Sequence, residues 1–94
     1  PFLEDNYDEQ YYLVVSNNST PGEINNAKDI LESCGMTYHY EPSNNINSRI
    51  KVIKSKTEAI KYYDDIKSKI SSFDLQIKLY DSRKKILNKG FTNQ

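Results

Sequence analysis

Between residues 11 and 80 the hydrophobic pattern changes period in a fixed order, and few folds accommodate that order. Tyr12-Leu13-Val14-Val15 is a short apolar run. Ile24, Ala27, Ile30, Leu31 and Cys34 then recur at three- and four-residue spacing, one face of a helix over about Asn25 to Ser33. Thr37 to Tyr40 alternates, and Ile50-Lys51-Val52-Ile53 is a second β-branched run. Thr57 to Ile70 is helical again, with Ala59, Tyr62 or Tyr63, Ile66 and Ile70 as its stripe, and Leu75 to Leu79 alternates with period two. Strand, helix, strand, strand, helix, strand is two βαβ-like halves. They predict an α+β domain with a four-stranded antiparallel sheet packed on two helices.

Local signals support this βαββαβ, ferredoxin-like expectation. Thr20-Pro21-Gly22-Glu23 carries a Thr cap, a Pro in the first turn and a Glu placed for a capping box. Gly35 follows the first helical stripe where a C-terminal cap belongs. Pro42-Ser43-Asn44-Asn45-Ile46-Asn47-Ser48 reads as a hairpin connection, and Ser71-Ser72-Phe73-Asp74 closes the second helix. Three segments follow: an acidic, flexible lead-in over 1–10, the domain over 11–80, and a basic extension over 81–94. In the last, Ile86, Leu87 and Phe91 would form the apolar side of a short helix, with Gly90 as its expected stop.

The chain is long enough for one modest core. Its hydrophobic content, 36%, is low, but those residues are concentrated in the periodic segments, which separates a folded domain from a disordered one. Net charge is zero, with Glu4, Asp5, Asp8 and Glu9 at one end and Arg83, Lys84, Lys85 and Lys89 at the other. Cys34 is the single cysteine, so no internal disulfide forms, and it reads as a small core residue. No apolar run is long enough to span a membrane, and there is no signal-peptide pattern. The chain starts with Pro1, which reads as a piece excised from a longer protein.

The free sheet face is the expected binding surface. Strand alternation directs Leu75, Ile77 and Leu79 to the helices, and Gln76, Lys78 and Tyr80 away from them. By the same argument Ile50 and Val52 face the helices and Arg49 and Lys51 face outward, with Ile53 left open. Tyr12 and Val14 join the open face, with either Tyr38 and Tyr40 or His39 and Thr37 from the second strand. Rings beside cations suit single-stranded nucleic acid, because bases stack on rings while Lys and Arg neutralise phosphate.

These residues resemble the RNA-recognition-motif family. Leu13-Val14-Val15-Ser16-Asn17-Asn18 is similar to its first-strand motif, Ala27 to Gly35 to its first helix, and Ser55-Lys56-Thr57-Glu58-Ala59 to the start of its second. The resemblance spans about residues 11 to 80. It implies binding of single-stranded RNA on the sheet by Tyr12, Val14, Asn17, Tyr38, Tyr40, Arg49, Lys51, Lys78 and Tyr80, with no cofactor. Asn44, Asn45 and Asn47 would contribute sequence readout. It also implies an intracellular protein, nuclear if eukaryotic. The family's first-strand stacking aromatic falls on Val14, its third-strand aromatics fall near Arg49 and Lys51, and its third-strand glycine is missing. A member so altered is alternatively a protein-interaction domain, docking a partner or dimerising.

The sporulation-related repeat, which binds peptidoglycan glycan strands, shares this topology, and Ile24, Ala27, Leu31 and Gly35 fit its first helix about as well. It too uses the sheet face, where aromatics stack on sugars. Its usual Val-Gly-Ser-Phe-like strand end and later Gly-Pro pair are absent from Val15-Ser16-Asn17-Asn18 and Ile53-Lys54-Ser55.

No residue constellation suggests an enzyme. His39 is the only histidine, and with one Cys it makes no standard zinc set. Asp64 and Asp65 are adjacent on a helix and point about 100° apart, so they form no carboxylate dyad. The three glycines are isolated and make no phosphate loop.

Overall fold

The computed structural model describes residues 10–18, 22–83 and Leu87. Strands β1 (Tyr11–Asn17), β2 (Thr37–Glu41), β3 (Ile46–Ile53) and β4 (Leu75–Tyr80) form one antiparallel sheet in the order β2-β3-β1-β4. Helices α1 (Glu23–Asn26) and α2 (Lys28–Ser33) join β1 to β2, and α3 (Lys56–Lys69) joins β3 to β4. This α+β architecture is compatible with a ferredoxin-like arrangement. The lead-in, apart from Gln10, and most of the C-terminal extension with its expected helix lie outside the described residues.

The core lies between the sheet and the helices. Tyr11, Leu13 and Val15 of β1 and Leu79 of β4 meet Ile24, Ala27 and Leu31 from the first helical segment and Ala59, Tyr63 and Ile66 from α3. Of the two candidate tyrosines, Tyr63 is buried and Tyr62 is exposed. Fully burying one such aliphatic side chain contributes roughly 1.5–3 kcal/mol.

Helix ends follow the sequence at some positions and depart from it at others. Ser55 caps α3, its Oγ accepting from the Glu58 amide at 3.3 Å, in an Ser-x-x-Glu frame. Gly35, at φ +83°, closes α2 in a Schellman motif: its amide donates to the Glu32 carbonyl and Met36 donates to Leu31. The first helix, expected as one piece, is instead broken at Ala27 (φ −97°, ψ 11°). Asn25 and Asn26 are poor helix formers, and the Asn26 amide bonds Glu23 Oε1 at 2.9 Å. Gly22 is the N-cap with no side-chain bond, and Thr20 and Pro21 lie outside the described residues. The capping oxygen comes from Asn17 Oδ1, which accepts from the Ile24 amide at 3.0 Å.

The orientation of β3 is the reverse of the sequence expectation. Tyr11 pairs with Ile53, Leu13 with Lys51 and Val15 with Arg49, and residues directly opposite share a face. Ile53, Lys51 and Arg49 therefore lie on the helix side, and Ile50 and Val52 on the open side. Ile53 is 4% exposed and Val52 is 50% exposed, which agrees with the register. Arg49 and Lys51 tolerate the inner face because their stems pack at its margin while their heads find partners.

Candidate binding face of the sheet

Because cross-strand partners share a face, the open side can be read row by row. Tyr80, Tyr12 and Val52 form one row; Lys78, Val14, Ile50 and Thr37 the next; Gln76, Ser16, Ser48 and His39 a third. Glu41 and Ile46 complete it beside the hairpin. Tyr12, Val14, Ile50 and Tyr80 line a depression of about 260 Å³. The Tyr12 hydroxyl donates to Gln10 Oε1 at 3.1 Å.

Toward the hairpin a second depression, about 440 Å³, is lined by Ser16, Asn17, Asn18, Asn45, Ile46, Gln76 and Lys78. The Gln76 amide donates to Asn18 Oδ1 at 3.1 Å across its floor. Asn45, in the left-handed region at φ 56°, makes the turn. The face thus grades from aromatic and aliphatic at one end to hydroxyl and amide at the other. Lys78 is the only Lys or Arg among its strand residues, and Glu41 the only carboxylate.

Four expected members of this face sit on the other side. Arg49 is 7% exposed, with its Nη1 at 3.1 Å from Glu32 Oε2 on α2 and its guanidinium 5.6 Å from the centre of the Tyr38 ring. The Lys51 ammonium stands 4.7 Å from the Tyr62 ring of α3. Tyr38 and Tyr40 pair with Arg49 and Asn47, on the helix side, and their hydroxyls donate to Asn47 Oδ1 at 2.6 Å and Asn45 Oδ1 at 2.9 Å. Both rings stay exposed. The remaining alternative, Thr37 with His39, holds the open face.

The structure brings together Tyr12, Val14, Lys78 and Tyr80 of the expected residues, and adds Ile50, Val52 and Ser16; Ser48 shares the register but is buried, its Oγ donating to the His39 carbonyl. Asn17 lines the second depression, but its Oδ1 is committed to the Ile24 amide. The signal for the missed members was Ile53, which shares a phase with Arg49 and Lys51 and ends the run.

No group of three or more His, Cys, Asp or Glu side chains comes together among the described residues. Half-buried Cys34 packs against the core at the end of α2. No helix among the described residues is long and apolar enough to cross a membrane. Leu87 packs against the core side, and its amide donates to the Leu79 carbonyl at 2.6 Å, along the outer edge of β4. Comparison with protein families, with curated proteins and with solved structures finds no match to this chain.

Proposed function

We propose that the domain is a non-catalytic binding module of βαββαβ, ferredoxin-like build whose open sheet face takes a glycan strand, as the sporulation-related repeat does. One observation carries this reading: rings and neutral hydroxyl and amide groups surround a single lysine at the strand positions of that face. A sugar ring has an apolar C–H face and hydroxyl edges. The first suits Tyr12 or Tyr80, and the second suits Ser16, Gln76 and Asn18. A polyphosphate needs several cations to displace its counterions. Arg49 and Lys51, which would have supplied them, lie on the helix side.

The RNA-recognition-motif reading keeps one favourable observation. Tyr12 and Tyr80 are directly opposite each other, and Lys78 is two residues from Tyr80 on the same face. That suffices for stacking a base or two beside one phosphate contact.

An NMR titration of the labelled chain separates the two. One arm uses soluble glycan strands released from peptidoglycan, and the other a U-rich single-stranded RNA at low and moderate salt. Glycan-induced shifts at Tyr12, Val14, Ile50 and Tyr80 that persist as salt rises are expected. Shifts with RNA alone, weakening steeply with salt, would replace the glycan reading with the RNA one. Silence in both arms would discard both.

A further inference from the structure

The two edges of the sheet are treated differently. The outer edge of β4 receives the Leu87 amide on the Leu79 carbonyl. The outer edge of β2 receives no backbone partner among the described residues, and all five of its residues are exposed. Natural edges are usually blunted with lysine, proline or a bulge. Thr37-Tyr38-His39-Tyr40-Glu41 has none of the three, and its one charged residue, Glu41, lies at the hairpin end. Alternate residues along such an edge direct N–H and C=O groups outward, ready for another strand.

We infer that the β2 edge pairs with β2 of a second copy of this chain, antiparallel about a two-fold axis at His39. The strand's own sequence argues for that occupant. Tyr38 and Tyr40 are placed symmetrically about His39, so two-fold pairing sets each against the other's counterpart and brings four rings together on the helix side. Their hydroxyls are already tied to Asn47 and Asn45, so the rings are held in place before association. On the open side His39 meets its own equivalent, with Glu41 of the second copy at the diagonal position and Thr37 opposite Glu41. No lysine or arginine stands on this strand to repel a copy. A two-fold interface of this kind is self-complementary and closed, so it stops at two subunits.

The resulting eight-stranded sheet places both Tyr12–Tyr80 depressions on one side. Five strand spacings, about 24 Å, separate β1 from its equivalent, and the depressions lie further apart than this because they are also offset along the strands from the His39 row. The pairing does not depend on what the open face binds.

Sedimentation velocity of the 94-residue chain over a micromolar to millimolar series tests it, together with amide hydrogen exchange of β2 across the same series. A reversible dimer is expected, with β2 amides protected more as concentration rises. His39→Lys puts two cations face to face on the axis and raises the dissociation constant at least about tenfold. Its melting temperature reports that the fold is kept. Tyr12→Ala, on the open face, leaves the dimer intact, so loss of ligand binding and loss of pairing read out separately. A chain that stays monomeric at millimolar concentration, with β2 exchange independent of concentration, overturns the inference. So does a dimer indifferent to His39→Lys.

Discussion

Glu32→Ala should destabilise the domain through a residue it leaves untouched. Arg49 is almost enclosed, its side chain 9% exposed, whereas that of Glu32 is 49% exposed. Removing one partner of a fully buried pair costs about 3–5 kcal/mol, because the other charge stays buried and unpaired. An exposed pair is worth about 0.2–1 kcal/mol. The half-open carboxylate places this pair between those limits, and the Tyr38 ring at 5.6 Å offers the orphaned guanidinium partial compensation. The expected loss is about 2 kcal/mol. For a domain of this size that lowers the melting temperature by about 8–16 °C.

Arg49→Met removes the charge and keeps the stem, so it should stay within about 1 kcal/mol of the parent. Adding Glu32→Ala to it should then cost little more. Circular dichroism melts of the two single variants and the double variant complete the cycle. A Glu32→Ala melt matching the parent would refute this placement of Arg49, as would an Arg49→Met variant that folds normally but loses ligand.

Other expectations follow from the same packing. Gly35→Ala forces a left-handed backbone on alanine and costs about 1–2 kcal/mol by chemical denaturation. Its new Cβ would lie 2.6 Å from the Lys51 Nζ, so the flexible Lys51 ammonium must also shift. Ser55→Ala should cost about 1 kcal/mol by removing the cap of α3, and Ser55→Asp should restore most of it, as thermal melts will show. Asp65 hydrogen-bonds Lys69 and attracts its charge, which holds the Lys69 pKa above its ordinary value. A raised pKa stabilises below the unfolded value and is lost as pH rises through the folded one. Any deficit of Asp65→Asn in denaturant melts should therefore be present at neutral pH and vanish above the lysine range. Because the pair is exposed, that deficit is small.

Sequence reasoning succeeded where one signal acted alone. Gly35 stops the first helical segment, Ser55 starts α3, and β4 alternates in sequence, so Leu75, Ile77 and Leu79 were separable from Gln76, Lys78 and Tyr80. It failed where two signals competed. In β3 the apolar pair Ile50 and Val52 argues for one phase, and Ile53 argues for the other. Pairing with Tyr11, Leu13 and Val15 decides for Ile53. A one-residue change of phase exchanges every side chain between faces, so Arg49 and Lys51 left the open face together. Tyr38 and Tyr40 follow them through the register of β2. The break at Ala27 was hidden because Ile24, Ala27 and Leu31 stay buried on both sides of it.

The central claim is that ligand meets the Tyr12–Tyr80 side of the sheet and not the Arg49–Lys51 side. Calorimetric titration of glycan strands into the parent chain, Tyr12→Ala, Tyr80→Ala and Lys51→Ala tests it most directly. Loss of binding in the two tyrosine variants, with parental affinity in Lys51→Ala, is the predicted result. Binding that survives both tyrosine substitutions and disappears with Lys51 would contradict it.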